Sequence, residues 1–242
     1  MRYGIFSDIH ANLEALEAVI EAYKQERIDR YFCVGDIVGY GANPCECIEQ
    51  VKRIVSGAVA GNHDWGSVGL LALNYFNPLA LEAILWTKQQ LDKNSINILN
   101  SLKLFYQDNG VTFVHSGLNN PQEFNYMLDK KAALESFKLL ETNICFVGHT
   151  HIAGIFSEDK SGNIVYLNKA TCAMEEGFSY IVNTGSVGQP RDGNPQAAFC
   201  IYDSVSKTIE IKRTAYDIKK ARAKIIAAGL PQYLGDRLLN GG

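Results

Sequence analysis

Hydrophobic positions along this chain follow two rhythms. Over the first 60 residues, short apolar runs alternate with stretches in which apolar residues recur every three or four positions. RYGIF, RYFCV and SGAVA are the runs, each of strand length. Between the first two, NLEALEAVIEAYKQER sets Leu13, Leu16, Ile20 and Tyr23 on one face of a helix, with Asn12 placed to cap it. Between the second and third, Asn43-Pro44 opens another helix with proline at its first position. Glu46, three residues after Asn43, fits a capping box. This βαβαβ order predicts a largely parallel sheet with right-handed crossovers.

Residues 66 to 104 read as mostly helical, interrupted at Asn77-Pro78. VTFVH is the next strand, Asp129 caps a helix to about Leu140, and NICFV returns to the sheet. Beyond residue 151 the texture changes to strands, IAGIFSE, IVYLN, FSYIVN, AAFCIY and TIEIKR, separated by turn formers such as Ser161-Gly162. Asp217 caps a last helix that runs to Gly229. Two sheets with helices outside them would bury both sets of strands. The expected fold is therefore α/β, a four-layer α/β/β/α sandwich of two mainly mixed sheets. With no repeat or linker, residues 1–242 read as a single domain with a helical insertion at about 66–104.

Composition, 47% hydrophobic and 20% charged, is that of an ordinary globular protein. A net charge of -3 gives no general attraction to nucleic acid polymers or anionic membranes. No run approaches the roughly 18 apolar residues of a bilayer span, and MRYGIFSDIH has no signal-peptide core before Asp8. The six cysteines show no CxxC spacing and read as reduced thiols of a cytoplasmic protein. The late basic residues Lys219, Lys220, Arg222 and Lys224 read as a solvated helix face. Neither a membrane nor a nucleic acid polymer is expected as a partner, and the oligomeric state is left open.

The candidate chemistry lies where strands end. RYGIF leads to Asp8 and His10, RYFCV to Asp36, and SGAVA to Asn62, His63 and Asp64. VTFV leads to His115, and NICFV to His149 and His151. In an open α/β sheet, ligands bind beyond the carboxyl ends of the strands. Singly, each residue has a structural explanation: a capping Asp, a turn Asn, a hydrogen-bonded His. Those explanations do not account for all five histidines of the chain gathering at strand ends.

Two carboxylates, an amide oxygen and several imidazoles form a mixed N/O ligand set without thiolate. Such a set suits Mn, Fe, Co, Ni or Zn better than an oxygen cage for Ca or Mg. The ligands are too many for one four- or five-coordinate ion and enough for two. Two ions about 3.5–4 Å apart clamp the attacking and leaving oxygens of a displacement at phosphorus. In an extended segment, residues 149 and 151 point the same way, so one loop can serve both ions.

SDIH, GDIVGYG, GNHD, the His of FVHSG, and GHTH resemble, in that order, the five signatures of the calcineurin-like metallophosphoesterase superfamily. NTGSVGQPR at 183–191 resembles its small prokaryotic phosphodiesterase branch. The resemblance implies that Asp8, His10 and His151 hold one metal, that Asn62, His115 and His149 hold the other, and that Asp36 bridges them. Manganese is the first choice of metal, with Fe, Zn, Ni and Co as alternatives. It implies a metal-bridging hydroxide as nucleophile and His63 as the unligated general acid, with Asp64 bonded to its other ring nitrogen.

The chain departs from the protein-phosphatase pattern GDxVDRG, which carries a phosphate-gripping Arg. Gly39 and Tyr40 stand there instead, and Arg191 could supply the charge from elsewhere. Tyr40 and Asn43 are further candidates for substrate contact. Trp65, Tyr75 and Phe76 offer rings to a nucleobase, although such rings are more often core. The expected function is hydrolysis of a small phosphodiester or nucleotide anhydride, with dinucleoside polyphosphates among the candidates. The alternatives are a phosphomonoesterase or protein phosphatase of the same superfamily, and a non-catalytic protein-binding scaffold of the same fold.

Overall fold

Short apolar runs become strands covered on both faces, and the segments of helical period become their covering layers. The computed structural model describes residues 1–242. The chain runs β1 (Arg2–Phe6), α1 (Leu13–Tyr23), β2 (Arg30–Cys33), α2 (Pro44–Ile54), β3 (Gly57–Ala58), α3 (Asn62–Val68), α4 (Pro78–Gln90) and α5 (Lys93–Ser101). It continues with β4 (Phe105–Asp108), β5 (Val111–Val114), α6 (Lys130–Phe137), β6 (Ile144–Val147), β7 (Gly154–Glu158), β8 (Ile164–Leu167), β9 (Thr171–Ala173) and β10 (Ser179–Asn183). β11 (Ala197–Asp203), β12 (Thr208–Thr214), α7 (Ile218–Ala227) and α8 (Gln232–Asp236) complete it.

One sheet has the order β3-β2-β1-β11-β12-β9 and the other β4-β5-β6-β10-β7-β8. β1, β2 and β3 are parallel to one another, as are β5, β6 and β10. Every other neighbouring pair is antiparallel. The parallel β1-β2-β3 trio is the one the βαβαβ order predicts, and antiparallel extensions make both sheets mixed, as expected of the sandwich. β4-β5, β7-β8 and β11-β12 are hairpins, whose short turns allow only antiparallel pairing.

The four layers are visible in the core. Between the sheets lies an apolar layer that includes Tyr3, Ile5, Phe32, Phe113, Phe146, Tyr180 and Tyr202. Phe113 stacks on Phe32 at 4.2 Å between ring centroids and lies 5.9 Å from Phe146. Outside the first sheet, Leu16 and Val19 of α1, Ile48 and Val51 of α2 and Leu99 of α5 pack on its outer face. Outside the second, Ala133 and Phe137 of α6 do the same.

Asn12, Asp129 and Asp217 cap their helices, accepting from the N–H groups of Ala15, Ala132 and Lys220. The capping box at Asn43 does not form. Its amide donates to the Glu46 side chain, and its oxygen accepts from Lys224 Nζ at 2.8 Å, so a tertiary partner displaces the local cap. β4 and β9, two short strands, and the short α8 were not expected. The basic face of α7 is turned to acids of its own chain, with Lys220 and Lys224 on Glu14 and Arg222 on Asp236. All six cysteines are free, and no helix is long and apolar enough to cross a membrane.

The inter-sheet layer should dominate stability. Phe113→Ala removes a ring that is 1% exposed and should cost about 3–5 kcal/mol in urea unfolding. Val205→Ala, at a residue 81% exposed, should stay within about 0.5 kcal/mol. Equal losses for the two variants would show that this layer does not carry the fold.

Candidate metal centre

β1, β2 and β3 of one sheet and β5, β6 and β10 of the other deliver their carboxyl ends to one rim of the sandwich. The loops there keep the ladders going. Asp8 donates its N–H to Gly35, His10 to Asp36 and Ala11 to Ile37, so the SDIHA loop lies along the GDIV loop. The sheets are joined by the N–H of His149, which donates to the Asp8 carboxylate at 3.0 Å. Two glycines make the approach possible. A Cβ on Gly61 would sit 2.0 Å from Asp36 Oδ1, and one on Gly148 would sit 2.3 Å from Asp8 Oδ2. Glycine is the residue that tolerates such contact.

Five of the predicted ligands adopt positive φ: Asp8, His10, Asp36, His149 and His151, at 49° to 66°. Non-glycine residues reach this region at a cost of about 1 kcal/mol or more, and they concentrate where function requires it.

Three of the five imidazoles are aimed by backbone carbonyls. Nδ1–H of His10 donates to Val38 at 3.1 Å, that of His115 to Val34 at 2.7 Å, and that of His151 to Gln189 at 2.6 Å. This leaves each Nε2 with a lone pair facing inward, the arrangement metal-ligating histidines use. His10 and His151 bring their Nε2 atoms within 3.0 Å of each other, with Asp8 Oδ1 3.2 Å from His151 Nε2. Asp36 Oδ2 lies 3.3 Å from His115 Nε2 and 3.7 Å from His10 Nε2. His115 Nε2, His149 Nε2 and Asn62 Oδ1 are buried without any partner. Acceptors facing acceptors in a dry site repel one another unless cations lie between them, so the donor set fits metal.

The candidate ligand atoms gather as Asp8, His10 and His151, and as Asp36, His115 and His149. Those of His10, Asp36 and His63 also lie within 4.8 Å of one another. Burial alone would raise the Asp8 and Asp36 carboxyls. The facing imidazoles outweigh it and hold both below the usual carboxylate range. Burial pushes His149 down to about 3 and His63 to about 4. His115 goes the other way, because the Asp36 and Asp8 carboxylates overcome its burial and raise it to about 9. A cation between those carboxylates and the ring would take the place of that proton and leave Nε2 as an acceptor.

His63 stands at the cluster's edge, its N–H donating to Asp36 Oδ1 at 2.8 Å and its Nδ1 unpartnered. Its ring packs among Tyr40 at 4.4 Å, His10 at 4.8 Å and Phe76 at 5.3 Å. Asp64 does not bond to this ring, which corrects the expected His63–Asp64 pair. Its carboxylate accepts from the N–H groups of Ile37, Val38 and Gly61, clamping the GDIV loop to α3. Asn43 is not brought to the cluster either, since its side chain is held by Glu46 and Lys224. Tyr40 is there, with its ring 4.7 Å from that of His10, and Arg191 reaches its hydroxyl at 3.5 Å.

A cavity of about 230 Å³ opens beside the ligands, lined by Asn62, His63, His149, Tyr75, Phe76 and Tyr126 among others. Phe76 lies edge-on to His63, while Tyr75 is 69% exposed. Trp65 packs edge-on against Phe124. Sequence reasoning missed Phe124 and Tyr126. Tyr126 stacks on His149 at 4.2 Å, and Phe124 sits edge-on to His115 at 5.9 Å. Their one signal was an aromatic pair, FNY, in the loop between His115 and the Asp129 helix cap. Asn183 was also missed. It donates to the Gly148 carbonyl and to Thr150, fixing the GHTH turn.

A family profile for the calcineurin-like phosphoesterase superfamily domain matches residues 1–207. The chain is 42% identical over 242 residues to an uncharacterised protein of Methanocaldococcus jannaschii, covering 98% of this chain and 97% of that one. The crystal structure of a metallophosphoesterase from Sphaerobacter thermophilus superposes with a TM-score of 0.89 at 38% identity, over 100% of both chains. A hypothetical protein of Pyrococcus horikoshii shares the fold, with a TM-score of 0.80 at 19% identity, over 100% of this chain and 98% of that one. On this evidence and on its rim of buried acceptors, the chain belongs to the calcineurin-like phosphoesterase superfamily.

Proposed function

We propose that this chain is a dinuclear-metal phosphoesterase that hydrolyses a small phosphodiester or nucleotide anhydride. The observation that carries this reading is the set of seven inward-facing acceptors, three of them with no partner in the chain, beside an aromatic-walled cavity. Asp8, His10 and His151 hold one ion, Asn62, His115 and His149 the other, and Asp36 belongs to both, with manganese the first metal to try. When bound, the two ions supply Lewis-acid stabilisation of phosphoryl charge and an activated water.

The rest is work for the chain's own side chains. His63, buried and with Nδ1 unpartnered, is placed to hand a hydrogen bond or proton to the leaving oxygen. Phe76 and Tyr40 hold its ring between them. Asp64 acts one step removed, holding the loop that carries Asp36. Tyr75 and Tyr126 present rings to an aryl or nucleobase substituent, while Arg191 presents positive charge to the phosphoryl oxygens.

Initial rates should be measured with Mn²⁺ on an aryl phosphodiester and on diadenosine tetraphosphate, before and after chelation. Chelator-sensitive turnover of at least one is expected, and no turnover of either counts against the reading. His63→Ala should retain its metals and lose about 10²–10⁴ in kcat, and unchanged turnover would remove His63 from the mechanism. Asp36→Asn takes away the shared negative charge, so elemental analysis should find metal lost along with activity. Full occupancy would refute the bridging role.

A further inference from the structure

The C-terminal segment closes one side of the cluster and brings an arginine with it. Leu234 of α8, with the flanking Leu230 and Leu238, packs in a buried group with Ala80 and Ala83 of α4 and with Tyr40. The N–H of Gly193 donates to the Gly241 carbonyl at 2.8 Å, tying the segment to the loop after β10. That loop carries Gln189 and Arg191, and the Arg191 N–H donates to the His151 carbonyl at 3.2 Å.

Two guanidinium groups meet here on one neutral acceptor. Arg191 Nη2 and Arg237 Nη1 both donate to Gln189 Oε1, at 3.0 and 3.1 Å, and Gln189 is buried. Arg2, Arg30, Arg213 and Arg222 each face an Asp or Glu carboxylate; of the four that do not, Arg27 and Arg53 are exposed to solvent and Arg191 and Arg237 are half-buried. Arg191 Nε is buried with no partner. Arg237 Nε donates to the Gly242 backbone oxygen at 2.9 Å, and its guanidinium lies 5.5 Å over the Tyr233 ring. Burial first, then Arg191, lowers the Arg237 pKa. Two like charges held together in half-buried surroundings destabilise each other unless an anion joins them. Guanidinium forks are the groups best shaped to bind phosphoryl oxygens in pairs.

The position of the pair says which anion. Arg191 lies 5.8 Å over the Tyr40 ring, whose other neighbours are His10 at 4.7 Å and His63 at 4.4 Å. The pair is thus one aromatic ring away from the metal ligands. Cations at those ligands would make its surroundings more positive, so it is not a counterweight to Asp8 and Asp36.

We propose that Arg191 and Arg237, held by Gln189, clamp a second phosphoryl group of the substrate, beyond the one that reacts at the metal cluster. This rests on the phosphoesterase reading above and narrows the substrate to compounds with two or more linked phosphoryl groups, such as nucleotide anhydrides.

The test is calorimetric titration of the metal-loaded protein with orthophosphate and with methylenediphosphonate, whose bridge cannot be hydrolysed. The native protein should prefer the diphosphonate by about tenfold or more, equivalent to roughly 1.4 kcal/mol. Gln189→Glu puts a carboxylate between the guanidinium groups at nearly unchanged size. It should abolish the preference while keeping or raising Tm. Arg237→Gln should abolish it too. No preference in the native protein, or a preference that survives in a folded Gln189→Glu variant, overturns the clamp. Chelator-sensitive hydrolysis of an aryl phosphodiester or of diadenosine tetraphosphate by the same native preparation tests the parent reading separately. A protein that fails that assay, yet shows a diphosphonate preference lost in Gln189→Glu, would keep the clamp and lose the phosphoesterase assignment.

Discussion

Seven acceptor side chains face one another at a buried rim, and most other features of this chain make that arrangement tolerable. Lone pairs directed at lone pairs 3.0 Å apart repel strongly once water is excluded. The backbone adds its own cost, with five of these seven residues at positive φ. Such an arrangement persists only where neighbours over-determine it, and here they do. Asn183 fixes the turn that carries His149 and His151, and Ser186 Oγ donates to the Asp8 carbonyl at 2.7 Å. Asp64 ties the Asp36 loop to α3 through three N–H groups. Because binding favours a preformed site, cations that relieve the repulsion also stabilise the fold that imposes it.

The cluster is divided between the sheets. Asp8, His10, Asp36 and Asn62 follow strands of one sheet, and His115, His149 and His151 follow strands of the other. Their spacing is therefore set by how the sheets pack, through the Phe32, Phe113 and Phe146 rings below and the His149 to Asp8 hydrogen bond above. A slip between the sheets would shift one half of the ligand set against the other. Core packing and site geometry are one constraint in this fold.

That these side chains would gather was legible because period and polarity coincide: apolar runs of strand length end abruptly in Asp, Asn or His, and parallel pairing places those ends together. Where local motifs compete with tertiary partners, the reading failed. Asn43 has a capping-box spacing, but Lys224, which is 181 residues away, takes its oxygen. Asp64 follows His63 directly, yet the first turn of α3 points its carboxylate at the backbone of residues 37 and 38. Phe124 and Tyr126 escaped notice because a loop's path, which no periodicity encodes, decides where its rings point. Nothing in GLPQYLGDRLLNGG marks Arg237, since only the docking of the C-terminal segment brings it to Gln189.

The GDIVGYG loop shows how one departure from the protein-phosphatase pattern is absorbed. Gly39 has φ of 91°, and any Cβ there would fall 2.3 Å from His63 Nδ1, so this position leaves room for the imidazole. Tyr40, where the phosphatase pattern has arginine, contributes no charge. Its ring packs on His10 and His63, and Arg191 stacks over it from the loop after β10. The positive charge that GDxVDRG carries on this loop is here carried by a different loop and positioned by an aromatic platform. That loop also meets the C-terminal segment, through Gly193 to Gly241 and Gln189 to Arg237. Exchanging one arginine for a tyrosine thus makes the charge beside His63 depend on the docking of residues 230–242, far away in sequence.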